Sequence, residues 1–108
     1  LDAAVLMEVI EHVDPPRLGA LEQAVFAVAR PTLVLVTTPN AEHNTLLPGL
    51  APGALRHLDH RFEWTRAQLR DWAGGVAGRH GYRVRYQPVG AEDPAAGPPT
   101  QLVVFTSG

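Results

Sequence analysis

Two short apolar runs, Ala3-Ala4-Val5-Leu6-Met7 and Leu33-Val34-Leu35-Val36-Thr37, constrain the fold more than any other feature, because the stretch between them reads as one helix. Each run is of strand length and lacks a polar alternation, the pattern of strands buried on both faces of a parallel sheet. Between them Val13-Asp14-Pro15 reads as a helix start, with Asp14 as N-cap, Pro15 at the first helical position and Val13 stapling onto Leu18. Leu18, Leu21, Val25 and Val28 follow at helical spacing, and Arg30-Pro31 ends the helix. Strand, helix, strand makes a βαβ unit with a right-handed crossover.

Downstream, Thr38-Pro39-Asn40 leaves the second strand at its carboxyl end. Residues 41–58 carry Asn44, Pro48-Gly49 and Pro52-Gly53 and read as a long loop. Thr65 and Gln68 then form a capping box, with Trp64 able to pack on Leu69. Leu69, Trp72, Val76 and Ala77 give the helix a buried stripe, and Gly81 is its left-handed stop. Tyr82 to Gln87 alternates as a strand, with Val84 and Tyr86 opposite Arg83 and Arg85. After a Pro/Gly/Ala-rich loop, Gln101 to Thr106 forms a last strand, expected to pair antiparallel with its predecessor. The fold class is α/β, and 108 residues make one domain.

Composition narrows the chemistry. There is no cysteine, so a metal would be held by His, Asp and Glu, and an intracellular, cytoplasmic setting is the default expectation. A net charge of -2 gives no global attraction to nucleic acid. All nine basic residues are Arg, which suits bidentate phosphate contacts, although a GC-rich genome explains the bias equally well and is the preferred account. No apolar stretch has membrane-spanning length and no signal peptide is present, so no membrane partner is expected. The chain opens at Leu1-Asp2 without Met, directly into a strand, as an excised domain would.

The chemistry gathers in Met7-Glu8-Val9-Ile10-Glu11-His12. If a helical turn leaves the first strand here, Glu8, Glu11 and His12 fall at i, i+3 and i+4 on one face, turned away from the core by Val9 and Ile10. They would point into the crevice at the carboxyl end of that strand, where α/β sheets hold ligands. Two carboxylates and an imidazole suit Mn²⁺ or Mg²⁺ before Zn²⁺. The plainer explanation is a solvated first turn. His60, in His57-Leu58-Asp59-His60-Arg61-Phe62-Glu63-Trp64, is the fourth ligand candidate against an ordinary surface histidine, with Asp59 beside it as a possible orienting partner. His57 and His43 are assigned to the surface, and His80 to a helix C-terminus whose dipole favours a cation. Arg56, Arg61 and Arg66 could grip phosphate or simply form a solvated basic face. Gly74-Gly75-Val76-Ala77-Gly78 lies within a helix and is discounted as a nucleotide fingerprint.

Glu8-Val9-Ile10-Glu11-His12, Thr37-Thr38-Pro39-Asn40, Asp59-His60-Arg61-Phe62-Glu63-Trp64-Thr65-Arg66 and Pro99-Thr100-Gln101 together resemble the RNA 3′-terminal ribose 2′-O-methyltransferases of the HUA-enhancer type, which protect small RNAs and, in bacteria, serve RNA repair. The likeness runs in order along essentially the whole chain. It implies a Rossmann-like, S-adenosyl-L-methionine-dependent methyltransferase domain of which residues 1-108 are the C-terminal portion, from the fourth strand onward. It implies that Glu8, Glu11, His12 and His60 are metal ligands and catalytic residues, with Mn²⁺ or Mg²⁺ as the ion. It also implies that Thr38, Asn40 and Arg66 border the substrate, and that only Met7 and its neighbours line the cofactor cleft, since the glycine-rich cofactor loop would precede Leu1. The partners implied are an RNA 3′ end and an RNA-repair kinase-phosphatase and ligase. The segment alone is expected to be inert. Two other readings compete: a metal-dependent phosphoesterase or nuclease built on the same ligands, and an inactive module that serves only in docking.

Overall fold

The computed structural model describes residues 3–7, 9–42, 62–91 and 93–107. Four strands, β1 (Ala3–Met7), β2 (Leu33–Pro39), β3 (Tyr82–Val89) and β4 (Thr100–Ser107), form one sheet in the order β1-β2-β4-β3. β1 and β2 are parallel, with Ala3 opposite Leu33 and Met7 opposite Thr37. β4 does more than return beside its predecessor: it inserts between β2 and β3 and runs antiparallel to both. The βαβ unit and the antiparallel terminal pair expected from the sequence are therefore present, joined edge to edge by β4.

The crossover from β1 to β2 starts with two 3₁₀ turns, Ile10–His12 and Pro15–Arg17, continues as α1 (Leu18–Glu22) and ends as a π-helix over Gln23–Ala29. Pro15 does open the helical stretch, but the Asp14 side chain makes no capping hydrogen bond. The π-helix closes with Arg30 N–H donating to Val25 O at 2.9 Å, one residue further back than an α-turn reaches. That wider turn shifts the helical phase. Phe26 faces the core at 1% exposure, while Val28, assigned by α-spacing to the buried stripe, is 81% exposed. Arg30 takes a left-handed φ of 44° without being glycine. Its guanidinium fixes that conformation by donating to Phe26 O and His80 O while lying over the Tyr82 ring.

α2 (Arg66–His80) has the ends its sequence specifies: Thr65 accepts from Gln68 N–H, Gln68 accepts from Thr65 N–H, and Gly81 turns left-handed at φ 74°. Leu69, Ala73, Val76 and Ala77 are buried against the sheet. Both helical segments cover the same face, the one carrying Val34, Val36, Val103 and Phe105. Phe105 meets Phe26 and Trp72 edge-on, with centroids at 4.9 and 6.2 Å. These rings tie the two helices through one sheet residue.

The opposite face is open. Ala3, Val5 and Met7 point to it, with Val5 54% and Met7 64% exposed, so β1 is not buried on both faces as its apolar run suggested. Both described helical segments lie on the other side of the sheet, so no described helix covers this face of β1. No helix among the described residues is long and apolar enough to cross a membrane.

Candidate active site

The carboxyl ends of β1 and β2 bring Glu11 and Thr38 together. The chain leaves β1 and tightens into the Ile10–His12 turn, closed by His12 N–H to Val9 O and Val13 N–H to Ile10 O. Ile10 anchors this turn in the core, and Glu11 is carried inward with it rather than away from it, reaching 0% exposure. There Thr38 Oγ1, itself fully buried, donates to Glu11 Oε1 at 3.1 Å. Glu11 Oε2 has no hydrogen-bond partner and no access to solvent. A carboxylate oxygen buried without a donor costs more than a typical hydrogen bond gains. A buried oxygen of this kind is met in folded proteins by an ordered water, an ion or a catalytic role. A carboxylate oxygen is the kind of ligand a hard divalent cation takes, and Glu11 Oε2 offers one such oxygen, with Oε1 held by the Thr38 hydroxyl.

The remaining expected ligands divide. His12 follows Glu11 directly but is exposed, because a 3₁₀ turn sends adjacent side chains in different directions. Glu8 and His60 lie outside the described residues, as do His43, Arg56, His57, Asp59 and Arg61. Among the described residues no three His, Asp or Glu side chains gather in one place. Met7 stands exposed at the carboxyl end of β1 beside this crevice, on the open face.

The three residues expected to border substrate have partners within the protein. Thr38 holds Glu11. Asn40 is fully buried: its Nδ2 donates to Ala96 O and Pro98 O, both at 2.8 Å, and its Oδ1 accepts from Glu42 N–H. Arg66 forms a fork on Glu42, Nε to Oε1 at 2.8 Å and Nη2 to Oε2 at 3.2 Å, and its backbone N–H adds a third bond to the same carboxylate. That guanidinium, followed by the backbone donor, holds the Glu42 carboxyl below its ordinary value. Glu42 and the 93–98 turn were not singled out from the sequence. The turn lies within the Pro/Gly/Ala-rich loop read from the sequence, whose composition indicates a loop and no particular residue of it. Phe62 and Trp64 stack at 4.5 Å and Trp64 meets Trp72, so they do serve as packing at the entry to α2.

No family profile matches the chain. It is, however, 41% identical over 109 residues to the small RNA 2′-O-methyltransferase of Gallus gallus, an alignment that covers 96% of this chain. It also superposes on the crystal structure of the methyltransferase domain of bacterial CtHen1-C with a TM-score of 0.85 and 50% identity, over 99% of its length. This chain belongs to the small RNA 2′-O-methyltransferase family. It spans 28% of the chicken relative and 52% of the bacterial domain, so the α/β sheet described above corresponds to one part of a Rossmann-like methyltransferase fold. The chain also superposes, at TM-score 0.76 and 28% identity over 97% of its length, on a chain in a structure of the Pnkp1/Rnl/Hen1 RNA repair complex.

Proposed function

We propose that the protein containing this chain transfers a methyl group from S-adenosyl-L-methionine to the 2′-hydroxyl of the 3′-terminal ribose of RNA, with Mn²⁺ or Mg²⁺ as a required ion. Residues 1-108 contribute the C-terminal part of the methyltransferase domain. The observation that carries this reading is the buried Glu11 carboxylate, fixed through Oε1 by Thr38 and unpartnered at Oε2, at the carboxyl end of the first strand. Family membership supports reading that site as one for a sugar hydroxyl.

Glu11 would hold the ion through Oε2; the remaining proposed ligands are Glu8 and His60, which lie outside the described residues, and His12, whose exposed side chain would have to turn toward that oxygen. When bound, the ion supplies Lewis acidity of the kind that lowers the pKa of bound water by several units. Thr38 orients the carboxylate so that its second oxygen meets the ion without a rotamer search, the usual task of an outer hydrogen-bond partner. Asn40 and Arg66 act one layer out, holding the 93–98 turn and the start of α2 in place around the crevice. Met7 borders the cofactor side. When bound, S-adenosyl-L-methionine would supply a sulfonium methyl group to the 2′-oxygen and leave as the neutral thioether, with the hydroxyl proton passing to solvent. A site that needs both vicinal oxygens selects a 3′ end, because an internal nucleotide has no free 3′-hydroxyl.

The complex that contains a related chain makes a repair kinase-phosphatase and ligase the proposed partners. The test uses the intact protein, labelled cofactor and two RNAs that differ only in a 2′,3′-diol or a 3′-phosphate. Transfer to the diol alone is expected. Equal transfer to both, or RNA cleavage without cofactor, would contradict the reading.

A further inference from the structure

Between the first turns of α2 and the β3–β4 pair lies a cleft of about 130 Å³, lined by Arg66, Arg70, Tyr86 and Gln101 together with Pro98. One wall is built rather than incidental. Asp93 and Gly97 exchange two backbone hydrogen bonds, and Asp93 Oδ2 accepts from Ala95 and Ala96 N–H. Asn40 and Arg66 hold the same turn from outside through the carbonyls of Pro98 and Ala95. Gly97 sits at φ 78°, and a Cβ there would come within 2.8 Å of the Arg66 guanidinium. The wall therefore requires glycine at its closest approach.

The lining has a buried amide donor without a partner and a guanidinium without a carboxylate. Gln101 is 7% exposed, and its Nε2 has neither a partner nor access to solvent. The Arg70 guanidinium carbon lies over the Tyr86 ring, 4.8 Å from its centroid, and among the described residues no carboxylate pairs with it. Arg66 differs, being neutralised by Glu42. Register sets the location. Gln101 is opposite Thr38, on the sheet face from which Thr38 reaches Glu11. The cleft therefore begins one strand spacing, about 5 Å, beyond the Thr38–Glu11 pair.

The geometry points to this cleft as the seat of the nucleotide immediately 5′ of the methylated ribose, with Arg70 on its phosphate and the Gln101 amide on the edge of its base. The inference rests on the RNA 3′-end reading and extends it by one nucleotide. A guanidinium held over a ring keeps N–H donors free for phosphate. An amide offers both donor and acceptor, so it can meet the edge of any base. The terminal torsion of glutamine is soft, and a modest turn brings its unpartnered donor to an acceptor seated in the cleft. The volume, where a water needs about 10–15 Å³ by this measure, is that of a small group of waters and suits one base.

The experiment measures methyl transfer by the intact protein to a short single-stranded RNA with a 2′,3′-diol, and to the same RNA made abasic at the penultimate position. Arg70→Ala is expected to raise KM about tenfold at unchanged kcat and to reduce the slope of log affinity against log salt by about one. Gln101→Met should melt no lower than the parent, since it removes a buried unpaired donor. It should also abolish the penalty, about tenfold in KM, that the abasic site imposes on the parent. Arg85→Ala, on the other face of the sheet, is the control and should change neither quantity. The inference is overturned if both cleft variants match the parent, or if Arg85→Ala weakens binding as much as Arg70→Ala, while the parent still methylates RNA. If the parent transfers no methyl group to diol RNA, the 3′-end reading itself fails, and this inference with it.

Discussion

Glu11 and Glu22 are both buried glutamates on the same crossover, 0% and 8% exposed, and they are treated in opposite ways. Glu22, at the end of α1, accepts a bidentate pair from Arg79 at 2.8 and 2.9 Å and meets His80 Nε2 at 2.7 Å. Every oxygen has a partner, and the Arg79 hydrogen bond, ahead of that from His80, holds the carboxyl below its ordinary 4.5. Glu11 has one hydroxyl on one oxygen and nothing on the other. By connectivity, the first cluster closes the helical layer at the amino ends of β1 and β2, and the second sits at their carboxyl ends. The difference separates two uses of a buried charge. One with a full set of donors serves the fold, whereas one left short costs the fold free energy and is the position at which the proposed ion would bind.

Four substitutions in the intact protein can break or sharpen that contrast. The largest effect belongs to Glu11→Gln. Loss of an orienting partner alone typically costs ten- to a hundredfold in metal affinity, so removing the ligand itself should lower methyl transfer at least about a hundredfold. Its thermal melt should be no lower than the parent's, because a neutral amide is cheaper to bury than an underpartnered carboxylate. Next, Asn40→Ala strands the Ala96 and Pro98 carbonyls and should destabilise by about 2–3 kcal/mol in a denaturant titration, showing a structural role where the sequence suggested substrate contact. Thr38→Val should then weaken Mn²⁺ binding about tenfold in calorimetry, with Thr38→Ser restoring it. A loss that serine does not restore would show that packing of the methyl group matters and the hydroxyl does not.

Glu22→Gln gives the smallest functional effect and the clearest pH signature. Mn²⁺ affinity and kcat should stay at parental values while the melting midpoint falls by about 5 °C at neutral pH. Folding lowers the pKa of Glu22, so its contribution is fully present above the ordinary 4.5 and disappears as pH falls through the lowered folded value. The gap between parent and variant should therefore close on the acid side of 4.5. A gap that widens there would place the stabilisation elsewhere.

What could be read from the sequence was what local chemistry specifies. The capping box at Thr65 and Gln68, the stop at Gly81 and the alternation of Val84 and Tyr86 against Arg83 and Arg85 depend on neighbours a few residues away, and all are present. The π-helical turn was not legible, because a ring closed from i to i+5 has no side-chain signature, and so Val28 was placed inside and Phe26 overlooked. The insertion of β4 between β2 and β3 is a nonlocal choice of edge that alternation cannot decide. At the site, Glu11 was identifiable by residue type and position, but its burial depends on Thr38 reaching across from another strand. His80 lies at the helix C-terminus as its position suggested, and its partners there, Glu22 and the Phe26 ring, come from the other helical segment. Arg66 matched a substrate role by motif, yet Glu42 takes its fork.

The central claim is that the unpartnered oxygen of Glu11 is a cation ligand. Calorimetric titration of Mn²⁺ into the intact protein, beside Glu11→Gln and Glu22→Gln at neutral pH, tests it most directly. The account predicts one saturable binding event in the parent, the same event in Glu22→Gln, and its loss in Glu11→Gln while that variant melts no lower than the parent. Binding unchanged in Glu11→Gln, or abolished equally in both variants, would contradict it.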